Sequence, residues 1–255
     1  LSEMYHSIPP SDRRRKFLNQ FQEKIPEISG VSDITFEIIC EGYKEMMGQS
    51  ALEISLRRKF EPIRKPHPGY IALAEMVKDG YFSVIFTTNI DELLELSFSN
   101  VLGNHGYDLF VDASDYSRSP RVSPRIYKLH GTFSKPNPKV SWRDLSHLEP
   151  RKAYHLKYFF ETHSFIFVGY SACDLDIRST LLPVDPEIRR HLPIYSFTRS
   201  GESVWMKSIL RRFGSESRNV ALGNLTDGGF FFKTLKEELS RLERLAKGRT
   251  SGGNM

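Results

Sequence analysis

The sequence predicts an α/β protein with a mostly parallel sheet flanked by helices, preceded by a helical segment. Three observations predict it. Phe82–Phe86 (FSVIF) and Ser164–Val168 (SFIFV) are nearly continuous apolar runs, as expected of strands buried on both faces. Around them, apolar residues return at helical spacing. Strands that alternate with helices imply right-handed crossovers and parallel pairing.

The elements follow in order. Residues 1–66 read as helical. A first helix, capped by Ser11 or Asp12, would carry Phe17, Leu18, Phe21 and Ile25. A second would carry Phe36, Ile38, Ile39, Tyr43 and Met46–Met47. Ser50-Ala51-Leu52-Glu53 has the hydroxyl and carboxylate of a capping box. Pro62, Pro66 and Pro68 close the segment. Residues 67–247 form the α/β domain. It opens with a helix over Tyr70–Lys78 that stops at Gly80, then the strand Phe82–Phe86. A helix begins near Asp91. Asp108–Val111 is a weaker strand and Arg125–Leu129 (RIYKL) a better one. Helix covers much of Leu145–Glu161, with Pro150 a possible break. Strand Ser164–Val168, a helix near Asp174–Leu182, strand Pro193–Phe197 and a helix from Ser203 to Phe213 follow. The last helix, about 229–246, aligns Leu235, Leu239, Leu242 and Leu245. Residues 248–255 read as a flexible tail.

Composition excludes several classes. The 255 residues hold 36 Lys+Arg and 31 Asp+Glu, a formal charge of +5, with 39% apolar residues. A disordered chain would have fewer apolar residues and a larger net charge. No stretch of roughly 18 consecutive apolar residues is present, so no helical membrane span is expected. Cys40 and Cys173 are the two cysteines, too few for a disulfide scaffold or a four-thiolate zinc site. That usage fits a reducing, cytoplasmic compartment. The histidines show no metal-ligand spacing, and no metal is expected. The sequence opens on Leu1, which suggests a piece of a longer chain.

Ligands of parallel sheets sit outside the carboxyl ends of the strands. After FSVIF comes Thr87-Thr88-Asn89-Ile90-Asp91. After RIYKL comes His130-Gly131-Thr132. After SFIFV comes Gly169-Tyr170-Ser171, then Asp174 and Asp176. Three strand ends thus offer amide, carboxylate, imidazole and hydroxyl to one crevice.

TTNID at 87–91, KLHG at 128–131 and FVGYSACDLDIR at 167–178 resemble the prokaryotic sirtuin-like (silent-information-regulator-two-like) domain. Sirtuins carry a related Gln-Asn-Ile-Asp segment, a catalytic His followed by Gly, and a Gly-x-Ser strand end. The match covers roughly residues 67–182. It implies a Rossmann-like fold and NAD as substrate. Many prokaryotic members hydrolyse NAD to ADP-ribose and nicotinamide, often as NAD-depleting effectors of anti-phage defence (abortive infection). The family opens with a strand and a Gly-Ala-Gly-x-Ser loop. None precedes residue 67, and the expectation is that it lies upstream of Leu1. Deacylating sirtuins usually carry a four-cysteine zinc module, which two cysteines cannot build, so the resemblance favours NAD hydrolysis.

By that resemblance Asn89, Asp91 and His130 are catalytic. Asn89 would hold the ribose or the attacking water. Asp91 would meet the nicotinamide amide or the cationic sugar, and His130 would act as general base. Thr87, Thr88, Gly169, Tyr170 and Ser171 would join them in binding NAD. Each has a plainer reading. Asn89 and Asp91 can form an Asx turn and a helix cap. His130 can be a structural hydrogen-bonder, Gly169 a tight turn, and Asp174 and Asp176 caps.

Arg13-Arg14-Arg15-Lys16 and Arg57-Arg58-Lys59 make the helical segment basic. The sequence does not gather them on one face with aromatics, and direct nucleic-acid binding is not expected. The resemblance instead implies a homo-oligomer, or a partner of the Argonaute or helicase-type ATPase kind. A non-catalytic NAD- or ADP-ribose-binding scaffold is the alternative function.

Overall fold

A computed structural model describes residues 36–60, 65–135, 137–198, 203–213, 218–221 and 228–250. The helix expected over Phe17–Ile25, the basic run Arg13–Lys16 and the end of the tail lie outside these residues. The chain forms two compact units. One is Leu1–Pro62 with Phe133–Ser146, and the other is Ile63–Thr132 with His147–Met255.

The first unit contains helices α1 (Phe36–Met47) and α2 (Gln49–Phe60). Gln49 is already helical, so the Ser50–Glu53 pattern sits inside α2 rather than capping it. Ile38, Ile39, Cys40, Leu52 and Leu56 are buried. Residues 133–146 are tied to α1 by polar bonds. Lys44 pairs with Asp144 at 2.8 Å, Arg143 pairs with Glu45 at 2.8 Å, and Trp142 N–H donates to the Glu37 carbonyl. Phe60 stacks on Phe133. Arg57, Arg58 and Lys59 occupy the last turn of α2, where cations complement the helix dipole.

Cys40 in α1 is fully buried. Burial, with Glu37, Asp144 and Glu41 nearby, pushes its thiol up to about 12, whereas Cys173 is exposed. The thiolate is the reactive form. Iodoacetamide at pH 8 should therefore modify Cys173 and spare Cys40 until the chain is denatured. Adduct counting by mass spectrometry checks this, and native-state labelling of Cys40 at the Cys173 rate would contradict it.

The second unit is the α/β domain that the apolar runs predict. Its elements are α3 (Pro68–Lys78), β1 (Val84–Thr87), α4 (Leu93–Leu102), β2 (Asp108–Phe110), β3 (Arg125–Lys128) and α5 (Pro150–Thr162). They continue with β4 (Phe165–Val168), α6 (Leu175–Leu181), β5 (Ile194–Thr198), α7 (Val204–Arg212), β6 (Arg218–Ala221) and α8 (Gly228–Thr250). Pro150 begins α5 instead of breaking it. At the first helical position its missing N–H removes no helical bond, and Glu149 caps the turn by accepting from the Arg151 and Lys152 N–H groups.

Among the described residues all the ladders are parallel. They form two three-stranded sheets, β1-β3-β2 and β4-β5-β6. On one face, α3, α4 and α8 pack apolar side chains such as Leu73, Leu94 and Phe232 around Ile85 and Ile126. On the other, Leu156 and Phe160 of α5 and Ile177 and Leu181 of α6 pack with Phe167 and Ile194. Helix α8 spans both sheets. Phe232 and Leu235 join the cluster of α3, while the Phe231 ring lies 4.5 Å from Phe197 of β5.

Candidate functional site

The carboxyl ends of β1 and β4 open onto a cavity of about 830 Å³. Thr87, Thr88, Asn89, Gly169 and Tyr170 all line it. Asp91, His130 and Ser171 are not among its lining residues. The volume lies within the range of small-molecule sites. Five of the eight expected binding residues thus share one hollow.

Local geometry explains each position. Asn89 donates its N–H to Thr87 Oγ1 at 3.1 Å, a tight turn that ends β1. Its Nδ2 donates to the hydroxyl of Tyr70 at 2.8 Å, so a residue of α3 fixes the exposed amide. Asp91 accepts from Leu93 N–H at 3.0 Å, which is the capping role of an acidic residue at a helix start. Its carbonyl accepts from Lys128. Gly169 has φ +65°, where only glycine is unstrained, and a Cβ there would meet no atom within 4 Å. The backbone conformation, not crowding, requires glycine. Gly131, after His130, has φ +86° for the same reason. Ser171 accepts from Cys173 N–H, and its carbonyl accepts from Ser203.

His130 is 4% exposed. Its Nε2 lies 3.2 Å from Oδ2 of Asp176, which is 0% exposed. This contact lacks the alignment of a hydrogen bond. Asp176 Oδ1 accepts from Ile177 N–H. The second carboxylate of the Asp-Leu-Asp segment is therefore a partner of the imidazole, which sequence spacing alone did not disclose. Asp174 takes the N-cap position of α6 without a side-chain cap bond. Tyr170 is pushed well above its usual range by burial and by Asp174 and Asp176, so its hydroxyl stays protonated.

Lys128 supports both strand ends. Its side chain is fully buried, and its Nζ donates to Glu95 at 2.5 Å and to the Asp91 carbonyl. Lys152 Nζ donates to the carbonyls of Lys128 and Leu129, each at 3.0 Å, directly before His130. The backbone that presents His130 and Asp91 is thus held by two ammonium groups. Among the described residues, no group of three or more His, Cys, Asp or Glu is placed to hold a metal, and no helix is long and apolar enough to cross a membrane.

A parallel α/β unit with polar groups collected at the carboxyl ends of its strands is a nucleotide-binding type of architecture. The description of the SIR2-like domain family matches residues 83–222, more than half of the chain, and the chain belongs to that family. Comparison with curated proteins finds no match. A solved chain from work on the mechanism and regulation of Sir2 enzymes is 13% identical, covers 88% of this chain and 88% of its own, and has a TM-score of 0.45.

Proposed function

We propose that this SIR2-like domain binds NAD across the carboxyl ends of β1, β3 and β4 and hydrolyses it to ADP-ribose and nicotinamide. The observation that carries the reading is the shared cavity of Thr87, Thr88, Asn89, Gly169 and Tyr170, in a chain of this family. In the reaction, the bond between the ribose carbon and the nicotinamide nitrogen breaks. The electron pair neutralises the cationic ring, so little acid catalysis is needed. Water then adds to the sugar carbon and gives up a proton. Asn89, exposed at the rim, would orient that water or the ribose, with its amide fixed by Tyr70. His130, backed by Asp176, would accept the proton. Asp91 would face the developing positive charge of the sugar. The biological role proposed is NAD depletion in bacterial anti-phage defence, in the cytoplasm, gated by oligomerisation or by an Argonaute- or helicase-type ATPase partner.

Purified protein incubated with NAD, with nicotinamide and ADP-ribose followed by chromatography, tests this. Asn89→Ala should lower turnover by about 10²-fold or more, the usual effect of removing one preorganised polar group at a reaction centre. Wild-type turnover in that variant would remove Asn89 from the mechanism. A second reading, a non-catalytic NAD- or ADP-ribose-binding scaffold, draws on the burial of His130 against Asp176. Calorimetric binding of ADP-ribose without turnover in the assembled complex would favour it.

A further inference from the structure

Arg178 of α6 is a buried cation with unmet donors. It is 7% exposed, and its Nε and Nη1 are sealed from solvent and meet no hydrogen-bond acceptor. Arg189 is as deeply buried, yet it gives two of its nitrogens to the carbonyls of His163 and Leu192. Burial pushes the Arg178 guanidinium below its ordinary range. Cys173, Tyr170 and Asp174 are near enough to act on its charge, but none accepts from these two nitrogens. A guanidinium keeps its proton even when buried, so donors left unmet are costly. Nearly all such groups are met by protein, water or a bound ion.

Helix α7 sets where these donors lie. The Arg178 Cζ is 3.6 Å from the centre of the Trp205 ring, and Trp205 is the second residue of α7. The guanidinium therefore backs the first turn of that helix. Ser203 caps the turn. Its Oγ accepts from the Met206 N–H and donates to the Ser171 carbonyl, which ties α7 to the turn after β4. The cap leaves the N–H groups of Val204 and Trp205 unused, and no acidic residue lies in the first turn. Such a helix end attracts anions. Val204 is 76% exposed and Trp205 47%, so the turn is reached from solvent.

From these observations we propose that Arg178 and the first turn of α7 form a binding site for a phosphate monoester, carried on a nucleotide whose base stacks on Trp205. A phosphate offers three acceptor oxygens, enough for a guanidinium and two helix-end amides together. The indole has one face on the guanidinium and much of its surface free, and aromatic rings hold bases by stacking. The choice of a nucleotide as carrier rests on the proposed binding of NAD at the strand ends. The site lies on the β4–β5 side of that region, whereas Asn89 and His130 follow β1 and β3. Two molecules could bring the phosphate there. One is a dinucleotide phosphorylated on its adenosine ribose, and the other is a separate mononucleotide.

The test reads binding to the whole chain and not turnover, so its outcome is separate from that of the hydrolase reading. Trp142→Phe leaves Trp205 as the single tryptophan, and its fluorescence is the readout. The probes are 2′-AMP and 5′-AMP at constant ionic strength, beside adenosine and inorganic phosphate. At least one AMP should change the emission saturably and bind about tenfold or more tightly than adenosine, as charge-assisted bonds require. Inorganic phosphate should compete with it. Tighter 2′-AMP assigns the site to the phosphorylated dinucleotide, and tighter 5′-AMP to the mononucleotide. Val204→Asp is the discriminating variant. The position is exposed, and a carboxylate there suits the helix dipole, so the fold is kept while the charge repels phosphate. It should weaken AMP by about tenfold or more and leave adenosine unchanged. Arg178→Lys keeps the charge, loses the planar fork and should weaken AMP as well. The proposal is overturned by the absence of a saturable change with either AMP, or by equal affinity for adenosine and AMP. It is equally overturned if the Val204→Asp chain binds AMP as its parent does.

Discussion

Replacing His130 with alanine should lower NAD turnover by about 10²–10⁴-fold, the usual worth of a positioned general base. Its neighbour makes the test sharper. Asp176 is sealed from solvent, and its Oδ2 sits 3.2 Å from His130 Nε2. A carboxylate behind a catalytic imidazole holds the ring in one orientation and favours the cation formed when the base takes a proton. Asp176→Asn keeps the volume and removes the charge. It should lower kcat while leaving KM close to wild type, because the side chain would act through His130 and not on the bound nucleotide. Steady-state kinetics on both variants, with circular dichroism to confirm folding, supplies the check. If Asp176→Asn hydrolyses NAD as fast as wild type while His130→Ala is dead, the pair is a packing contact and His130 works alone. If both are fully active, the imidazole has no part in the chemistry.

The largest expected loss of stability is at Lys128. Its ammonium is wholly buried, 2.5 Å from Glu95, and also caps the Asp91 carbonyl. Burial pushes the Glu95 carboxyl above its ordinary range, and Lys128 opposes that rise. Removing one partner of such a pair leaves a charge stranded in an apolar interior, at a cost of about 3–5 kcal/mol. Lys128→Met should therefore shift urea unfolding to a markedly lower midpoint. Lys128→Met combined with Glu95→Met should recover much of the loss, since the second change removes the stranded carboxylate. A single variant as stable as wild type would mean that water or a local shift relieves Glu95. A double variant no better than the single would place the cost in the lost cap on Asp91.

The central strands were legible in the sequence because they are covered on both faces. FSVIF and SFIFV needed no alternation to be read; β3 and β4 fall within the expected runs, and β1 starts inside its run and extends one residue past it to Thr87. Strand β6 was not legible, because Arg218-Asn219-Val220-Ala221 offers too short an apolar run. Pro150 looked like a break because its position within the helix was not visible without Glu149 as cap. In the site, local turn chemistry was readable at Asn89, Asp91 and Gly169. What required tertiary structure was the meeting of distant segments. Asp176 had the spacing of a cap, and only the approach of α6 to the end of β3 turns it toward His130. Tyr70 and Lys128 were missed for the same reason, since each acts on a residue far along the chain.

The two half-sheets touch through grease rather than through amides. Phe86 lies against Phe165, and one long terminal helix straps the halves together with Phe231 on one and Phe232 on the other. Directional backbone bonds fix a spacing by geometry, whereas packed apolar side chains fix it by shape. The aperture between Asn89 and Gly169 is therefore set by packed rings and one bridging helix, with no shared ladder between the two strands among the described residues.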